Sequence, residues 1–133
     1  MISRTGLHAL KALALLSELP EGEYAGAAAI AKEIGAPQNY LGKLLQTLSH
    51  VGLVESQKGK GGGFRMAKNA GKTSLYDVIE PIEQVSRWGG CFLGRNKCSS
   101  TSPCALHTKW KFTRDTYLNF LKTTTLSEIS DKN

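Results

Sequence analysis

Three cysteines and one histidine crowd into residues 91–107: Cys91, Cys98, Cys104 and His107, with no cysteine elsewhere in the chain. Thiolates are soft donors that suit zinc, copper(I) or iron–sulfur clusters. Six residues separate Cys91 from Cys98 and five separate Cys98 from Cys104. Both gaps exceed the two to four residues usual within a zinc-finger pair. A wider loop wraps a larger object, and an iron–sulfur cluster is larger than one ion. Cluster ligation usually takes four thiolates, but histidine can replace cysteine.

The surrounding residues favour thiolate. Ser102 is a good N-cap and Pro103 a good first helical residue. Cys104 is then expected in the first turn of a helix, where the dipole and free amides lower a thiol pKa. His107 comes three residues later, on the same helix face. Arg87, Arg95 and Lys97 flank the loop, and no acid occurs from Gln84 to Leu106. Gly89, Gly90 and Gly94 let the loop fold around a cofactor. Other readings of the same residues are a structural zinc site of three Cys and His107, and a cluster-free thiol switch with Cys104 as the reactive residue. An inert buried thiol is a poor account of three cysteines gathered in one loop. The odd count and the low cysteine density argue against a disulfide framework. A redox enzyme or electron carrier lacks support, since the chain has no CxxC and no general acid–base pairing.

Length and pattern define the elements that must position this loop. At 133 residues the chain is one domain, or one small domain plus an appendage. No apolar run approaches the ~20 residues of a membrane span, and Met1-Ile-Ser-Arg leads straight into an amphipathic pattern. A cytoplasmic protein with no membrane partner is expected. The net charge of +6 and pI near 9.3 fit a polyanionic partner. The charge is also local: Lys58, Lys60, Arg65, Lys68 and Lys72 fall between Ser56 and Lys72, with no acid among them.

Residues 3–19 read as a helix with Leu7, Leu10, Leu13, Ala14 and Ser17 on one side and Arg4, His8 and Lys11 on the opposite stripe. His8 reads there as a solvated surface residue. Pro20-Glu-Gly22 ends it. Ala27–Ile34 reads as a short helix. Pro37 opens a third, whose Leu41, Leu44, Leu45 and Leu48 make a buried stripe. Its other face offers Gln38, Asn39, Tyr40, Lys43, Gln46 and Thr47. Two short helices joined by a glycine turn form a helix-turn-helix, in which the N-terminal residues of the second helix meet base edges in the major groove.

The next stretch distinguishes the chain from a generic helical bundle. Leu53-Val-Glu-Ser and Phe64-Arg-Met-Ala read as paired strands around the loop Lys58-Gly-Lys-Gly-Gly-Gly63. Lys58, Lys60 and Arg65 would supply charge for phosphates or a narrow minor groove. A helix-turn-helix with a basic hairpin after it is a winged helix. The glycine loop matches neither dinucleotide nor P-loop spacing, and an RNA-binding module would need an aromatic stacking surface.

Ser74 begins a fourth helix, with Asp77 as a capping partner and Leu75, Val78, Ile79 and Ile82 as its apolar side. Pro81 is expected to kink or shorten it. From Pro103 to about Lys122, the positions Leu106, Trp110, Thr113, Tyr117, Phe120 and Leu121 make a two-per-heptad seam, read as a homodimer interface. Residues 123–133 are polar apart from Leu126 and Ile129 and are expected to fray.

The opening Met1-Ile-Ser-Arg-Thr-Gly-Leu-His-Ala-Leu-Lys-Ala-Leu resembles the start of the Rrf-two family of bacterial winged-helix regulators. So do Asn39-Tyr-Leu-Gly-Lys-Leu-Leu-Gln-Thr-Leu, Val51-Gly-Leu-Val-Glu-Ser and Gly59-Lys-Gly-Gly-Gly-Phe. The pattern Cys91…Cys98…Cys104-Ala-Leu-His107 resembles the cluster-binding branch, which holds cluster-assembly regulators and nitric-oxide-sensing repressors. The resemblance implies a homodimer on a palindromic promoter site in double-stranded DNA, with one [2Fe–2S] or [4Fe–4S] cluster per subunit. Cluster state or occupancy would then alter DNA affinity. By position, Cys91, Cys98 and Cys104 would be the thiolate ligands. His107 corresponds to the histidine ligand of the cluster-assembly type. In the nitric-oxide-sensing type an acidic residue near the N-terminus of the other subunit takes that place, and His8 stands near it here. The first cysteine gap is one residue longer than the family pattern.

The expected fold is mainly α with a small β-hairpin wing. It divides into a winged helix-turn-helix over residues 1–82, a cysteine-rich cluster-binding loop at 83–103 and a dimerisation helix with its tail at 104–133. The expected DNA contacts are Gln38, Asn39, Tyr40 and Lys43 in the major groove and Lys58, Lys60 and Arg65 on phosphates or the minor groove. No catalytic residue is expected.

Overall fold

In the computed structural model, residues 2–86, 92–93 and 105–129 are described. The elements are α1 (Arg4–Ser17), α2 (Ala27–Ile34), α3 (Gln38–His50), β1 (Val54–Gln57), β2 (Gly63–Met66), α4 (Leu75–Glu83) and α5 (His107–Thr123). Short 3-10 turns lie at Ala70–Lys72 and Leu126–Ile129.

Helix α1 starts where Ser3 Oγ accepts the amide of Gly6 at 3.1 Å, satisfying one of the orphan donors of a helix start. Its core face is the expected one only at Leu10 and Leu13. Ala9, Leu10, Ala12, Leu13 and Leu16 are buried, whereas Leu7 is 42% exposed. The leucine spacing points the face toward Leu7, but α1 packs against α4, α3, α2, β2 and the C-terminal turn. With so many neighbours, some buried places admit only small side chains, and Ala9 and Ala12 take them beside the buried leucines.

Helices α2 and α3 form the expected pair. Gly35 closes α2 in the left-handed conformation, with φ 73°. Leu41, Leu44, Leu45 and Leu48 are buried as the spacing predicts. The hairpin pairs Val54 with Met66 through Gln57 with Gly63, antiparallel. Ala25 adds a bridge on the other side of β2, exchanging both amide–carbonyl bonds with Phe64 at 2.8 Å. Gly63 is required here. Its φ is +135°, and a Cβ would run into the backbone of Ala25.

Ser74 caps α4 by accepting the Asp77 amide at 3.1 Å. Pro81 lies inside the helix, which ends two residues later with Gln84 left-handed. Helix α5 begins at His107, not at Pro103, because Ala105 and Leu106 form a turn ahead of it. The first turn of α5 therefore starts after Cys104 in the chain. Among the described residues no helix is long and apolar enough to cross a membrane.

The expected fraying after Thr123 also fails as far as Ile129. Leu126 is 1% exposed, and its amide donates to Thr73 O at 2.9 Å while Leu75 N donates to Thr124 O at 2.9 Å. The chain returns to the start of α4 and closes the core there. Leu126→Ala should therefore destabilise the protein by about 2–5 kcal/mol in urea unfolding, the range for a buried leucine. A loss below about 0.5 kcal/mol would match a frayed tail instead.

Candidate nucleic-acid interface and cysteine segment

On α3, Gln38, Asn39, Lys43, Gln46 and Thr47 are exposed, while the leucine stripe faces inward. Tyr40 is half-buried, and its hydroxyl lies 3.1 Å from His8 Nδ1, with the rings edge to face at 5.5 Å. His8 is thus a partner of the candidate reading helix and not a solvated side chain, which corrects the sequence expectation. At the hairpin tip Lys58 and Lys60 are exposed, and Gly59 and Gly61 take positive φ.

Arg65 differs from the two lysines. Its Nε donates to Glu55 Oε1 at 2.9 Å, directly across the ladder. Its guanidinium also lies 4.6 Å from the centre of the Tyr24 ring. Arg65 braces the wing base, so the wing's unbraced cations are those of the tip. Sequence reasoning misses Glu55 and Tyr24. The cross-strand spacing of Glu55 and Arg65 is the signal that could have found the pair.

The cysteine segment carries the other expected site. Cys91, Cys98 and Cys104 lie outside the described residues, as do Ser102 and Pro103. His107 is described: it opens α5 and is 8% exposed. Phe92 meets Trp110 of α5, ring centres 5.4 Å apart. Among the described residues no three His, Cys, Asp or Glu side chains group as a metal site.

At the end of α4, which precedes the cysteine segment in sequence, two carboxylates take up backbone amides. Glu80 accepts Ser86 N at 3.1 Å and the Tyr76 hydroxyl at 2.8 Å. The Ser86 amide, then the Tyr76 and Ser86 side chains and the Lys122 charge, hold the Glu80 carboxyl below the usual carboxylate range against an opposing effect of burial. The same Tyr76–Glu80 bond raises the Tyr76 phenol. Glu83 reaches α1, accepting Ser3 N at 3.1 and 3.0 Å.

On α5 the residues of the expected seam differ in exposure. Leu121 is buried and Tyr117 half-buried, and the Tyr117 hydroxyl accepts Ile2 N at 3.3 Å. The large exposed apolar side chains of the helix are Phe112, at 74%, and Phe120, at 51%. Phe112, which the heptad reading passes over, stands eight residues before Phe120 and so falls on the same side of the helix.

A helix-turn-helix with a two-stranded wing is the architecture of a DNA-binding regulator. The Rrf2 family, described as iron-dependent transcriptional regulators, matches residues 2–132. A protein of Aquifex aeolicus assigned as an HTH-type transcriptional regulator is 34% identical over 131 residues, 97% of this chain and 90% of that protein. The HTH-type transcriptional regulator IscR of Pectobacterium atrosepticum is 33% identical over 100 residues, 75% of this chain and 60% of IscR. The solved structure of CymR, the global cysteine regulator of Bacillus subtilis, is similar in fold, with TM-score 0.79 at 22% identity, covering 100% of this chain and 98% of CymR. The chain belongs to the Rrf2 family of transcriptional regulators, and its partner is DNA.

Two changes in the wing separate tip from brace. Lys60→Ala should flatten the slope of log affinity against log salt by about one unit. Glu55→Ala, which removes the acceptor that holds Arg65, should steepen it by up to about one unit. Unchanged slopes in a fluorescence-anisotropy salt titration would remove the wing from the DNA interface.

Proposed function

We propose that this regulator binds a palindromic promoter site as a homodimer, and that an iron–sulfur cluster held by Cys91, Cys98, Cys104 and a histidine controls that binding. The observation that carries the reading is the union, in one chain, of an exposed polar reading face on α3, a lysine–glycine wing tip and a three-cysteine segment between α4 and α5. Gln38, Asn39, Tyr40 and Lys43 would face base edges, and Lys58 and Lys60 phosphates or the minor groove. Arg65 would serve first as the wing's brace. No catalytic role is proposed, and promoter binding places the protein's work in the cytoplasm.

The donor set fits a cluster. Three soft thiols and one imidazole are the ligand types that clusters accept. His107, at the start of α5, comes soon after Cys104 in the chain. His8 is the alternative donor, from a second subunit. Its Nδ1 already bonds Tyr40, leaving Nε2 for a ligand, and a ligating histidine commonly holds its other nitrogen in such a bond. A bound cluster would supply a centre sensitive to oxidants, nitric oxide or iron supply.

The homodimer reading rests on α5. Phe112 and Phe120 expose large apolar area, costly on a monomer, and an isologous pairing of two α5 helices would cover both copies at once. Phe112→Asp should shift the protein to monomer in sedimentation velocity and weaken binding to duplex DNA at least about tenfold, since two half-sites no longer act together. A variant that stays dimeric would place the interface elsewhere.

The cluster is tested on protein purified without air. Visible absorption, with iron and acid-labile sulfide in the protein, is the expected result, and either His107→Ala or His8→Ala should then bleach it. One zinc per chain without colour would make the segment structural. A colourless, metal-free protein that takes up no cluster on reconstitution would leave a thiol switch centred on Cys104.

A further inference from the structure

The first amides of a helix have no partner within it. In a capping box, the N-cap side chain takes the amide three residues on, and a Glu or Gln at that third position reaches back to the N-cap amide. Helix α1 holds half of this device in its own sequence. Ser3 Oγ accepts Gly6 N at 3.1 Å, but the third position is Gly6, which has no side chain. The missing carboxylate comes from another helix: both oxygens of Glu83 lie within reach of Ser3 N, at 3.1 and 3.0 Å. A Cβ on Gly6 would collide with Glu83 Oε1. The glycine leaves the space that the visiting carboxylate fills, so the cap is shared between α1 and the last residue of α4.

Helix α1 then carries the contact onward. His8, five residues past Ser3, bonds the Tyr40 hydroxyl near the start of α3 at 3.1 Å. Thr5, Tyr40, Pro81 and Ile82 line one cleft, so α1, α3 and the end of α4 meet there. On the other side, Ile2 N donates to Tyr117 of α5. The first residues of the chain are therefore held by one side chain from each helix that flanks the cysteine segment in sequence.

We infer that Glu83 is a positioning residue for DNA reading: through the shared cap it fixes α1, and through His8 it fixes Tyr40 on α3. The inference rests on α3 being the reading helix. It also joins α4, the helix that precedes the cysteine segment in sequence, to the reading helix.

The test uses a duplex that the wild-type protein selects from a randomised pool, with protein isolated anaerobically. Glu83→Ala should weaken binding by a factor of about 3 to 30. Tyr40→Phe in the Glu83→Ala background should cost less than it costs alone, because both interrupt one path. Glu83→Gln keeps an acceptor for Ser3 N and should retain most of the wild-type affinity. Additive losses, or a Glu83→Gln variant as weak as Glu83→Ala, would overturn the inference. Gly6→Ala displaces Glu83 while improving helix propensity, and it should reproduce the Glu83→Ala loss in a folded chain; wild-type affinity there would also overturn it. In the free protein, hydrogen exchange of both variants should quicken in the first turn of α1 and also at Leu41 and Gly42 of α3. Quickening confined to α1 would count against the route. A wild-type protein that selects no sequence removes the reading role of α3 and this inference together, whereas selection with additive losses removes only the coupling.

Discussion

The fold depends on how closely its other elements approach α1. Ala9 and Ala12 are fully buried, between leucines that are buried as well, and α1 packs against α2, α3, α4, β2 and the C-terminal turn. The two alanines permit short distances and have no side chain that can rearrange to absorb a shift. Close-packed interiors transmit displacement for this reason. Elements that share α1 thus share its position: the helix α3, the wing strand β2 and the exit to the cysteine segment are all set by one helix. That is a useful property in a regulator, whose reading helix must be placed to within a few ångströms of a half-site.

The wing solves a different problem. Its tip needs flexible cations, and its base needs a fixed direction. Glycines at 59 and 61 with positive φ supply the first. The second comes from the Ala25–Phe64 bridge, the glycine at 63 that lets the two backbones meet and the Glu55–Arg65–Tyr24 stack. The ion pair is exposed, and such pairs contribute at most about 1 kcal/mol. Its main effect is directional: it turns one cation of the basic run away from free service and leaves charge at the tip. The local count of five cations therefore overstates what the hairpin can offer to phosphate.

Much of this is legible from residue order alone. Helix spacing, the glycine turn at 35, the leucine stripe of α3 and the basic hairpin each come from local chemistry, and the structure has them where the pattern puts them. What escapes a reading of the sequence is contact between elements distant along the chain. Periodicity places Leu10 and Leu13 of α1 correctly but takes in the exposed Leu7 and passes over Ala9 and Ala12, because leucines signal burial more strongly than alanines. His8 looks solvated in sequence because Tyr40 is far away in the chain. Leu126 looks like part of a frayed end because one apolar residue in a polar tail carries no period. Capping rules put the start of α5 at Ser102-Pro103, and the turn at Ala105–Leu106 delays it. One long-range contact does leave a local trace. Ser3-Arg-Thr-Gly6 is a capping box with its acid missing, and an incomplete box asks where the acid is.

That acid also shapes how the end of α4 is held. Glu80 and Glu83 sit in the last turn of that helix, where the negative end of the dipole disfavours carboxylates. Pro81 lies between them and removes one backbone donor from the same turn. On local terms this terminus is weak. Other donors offset that: the Ser86 amide from beyond the helix and the Tyr76 hydroxyl one turn back on Glu80, and the Ser3 amide of α1 on Glu83. Glu83 thereby occupies the positive end of α1 while standing at the negative end of α4. Each helix end lacks what the other has, so neither is fully satisfied alone. A contact of this kind suits the entry of a signal. It joins the segment with the cysteines to the helix on which the rest is packed, and its strength comes from a geometry that a small rotation of α4 would break.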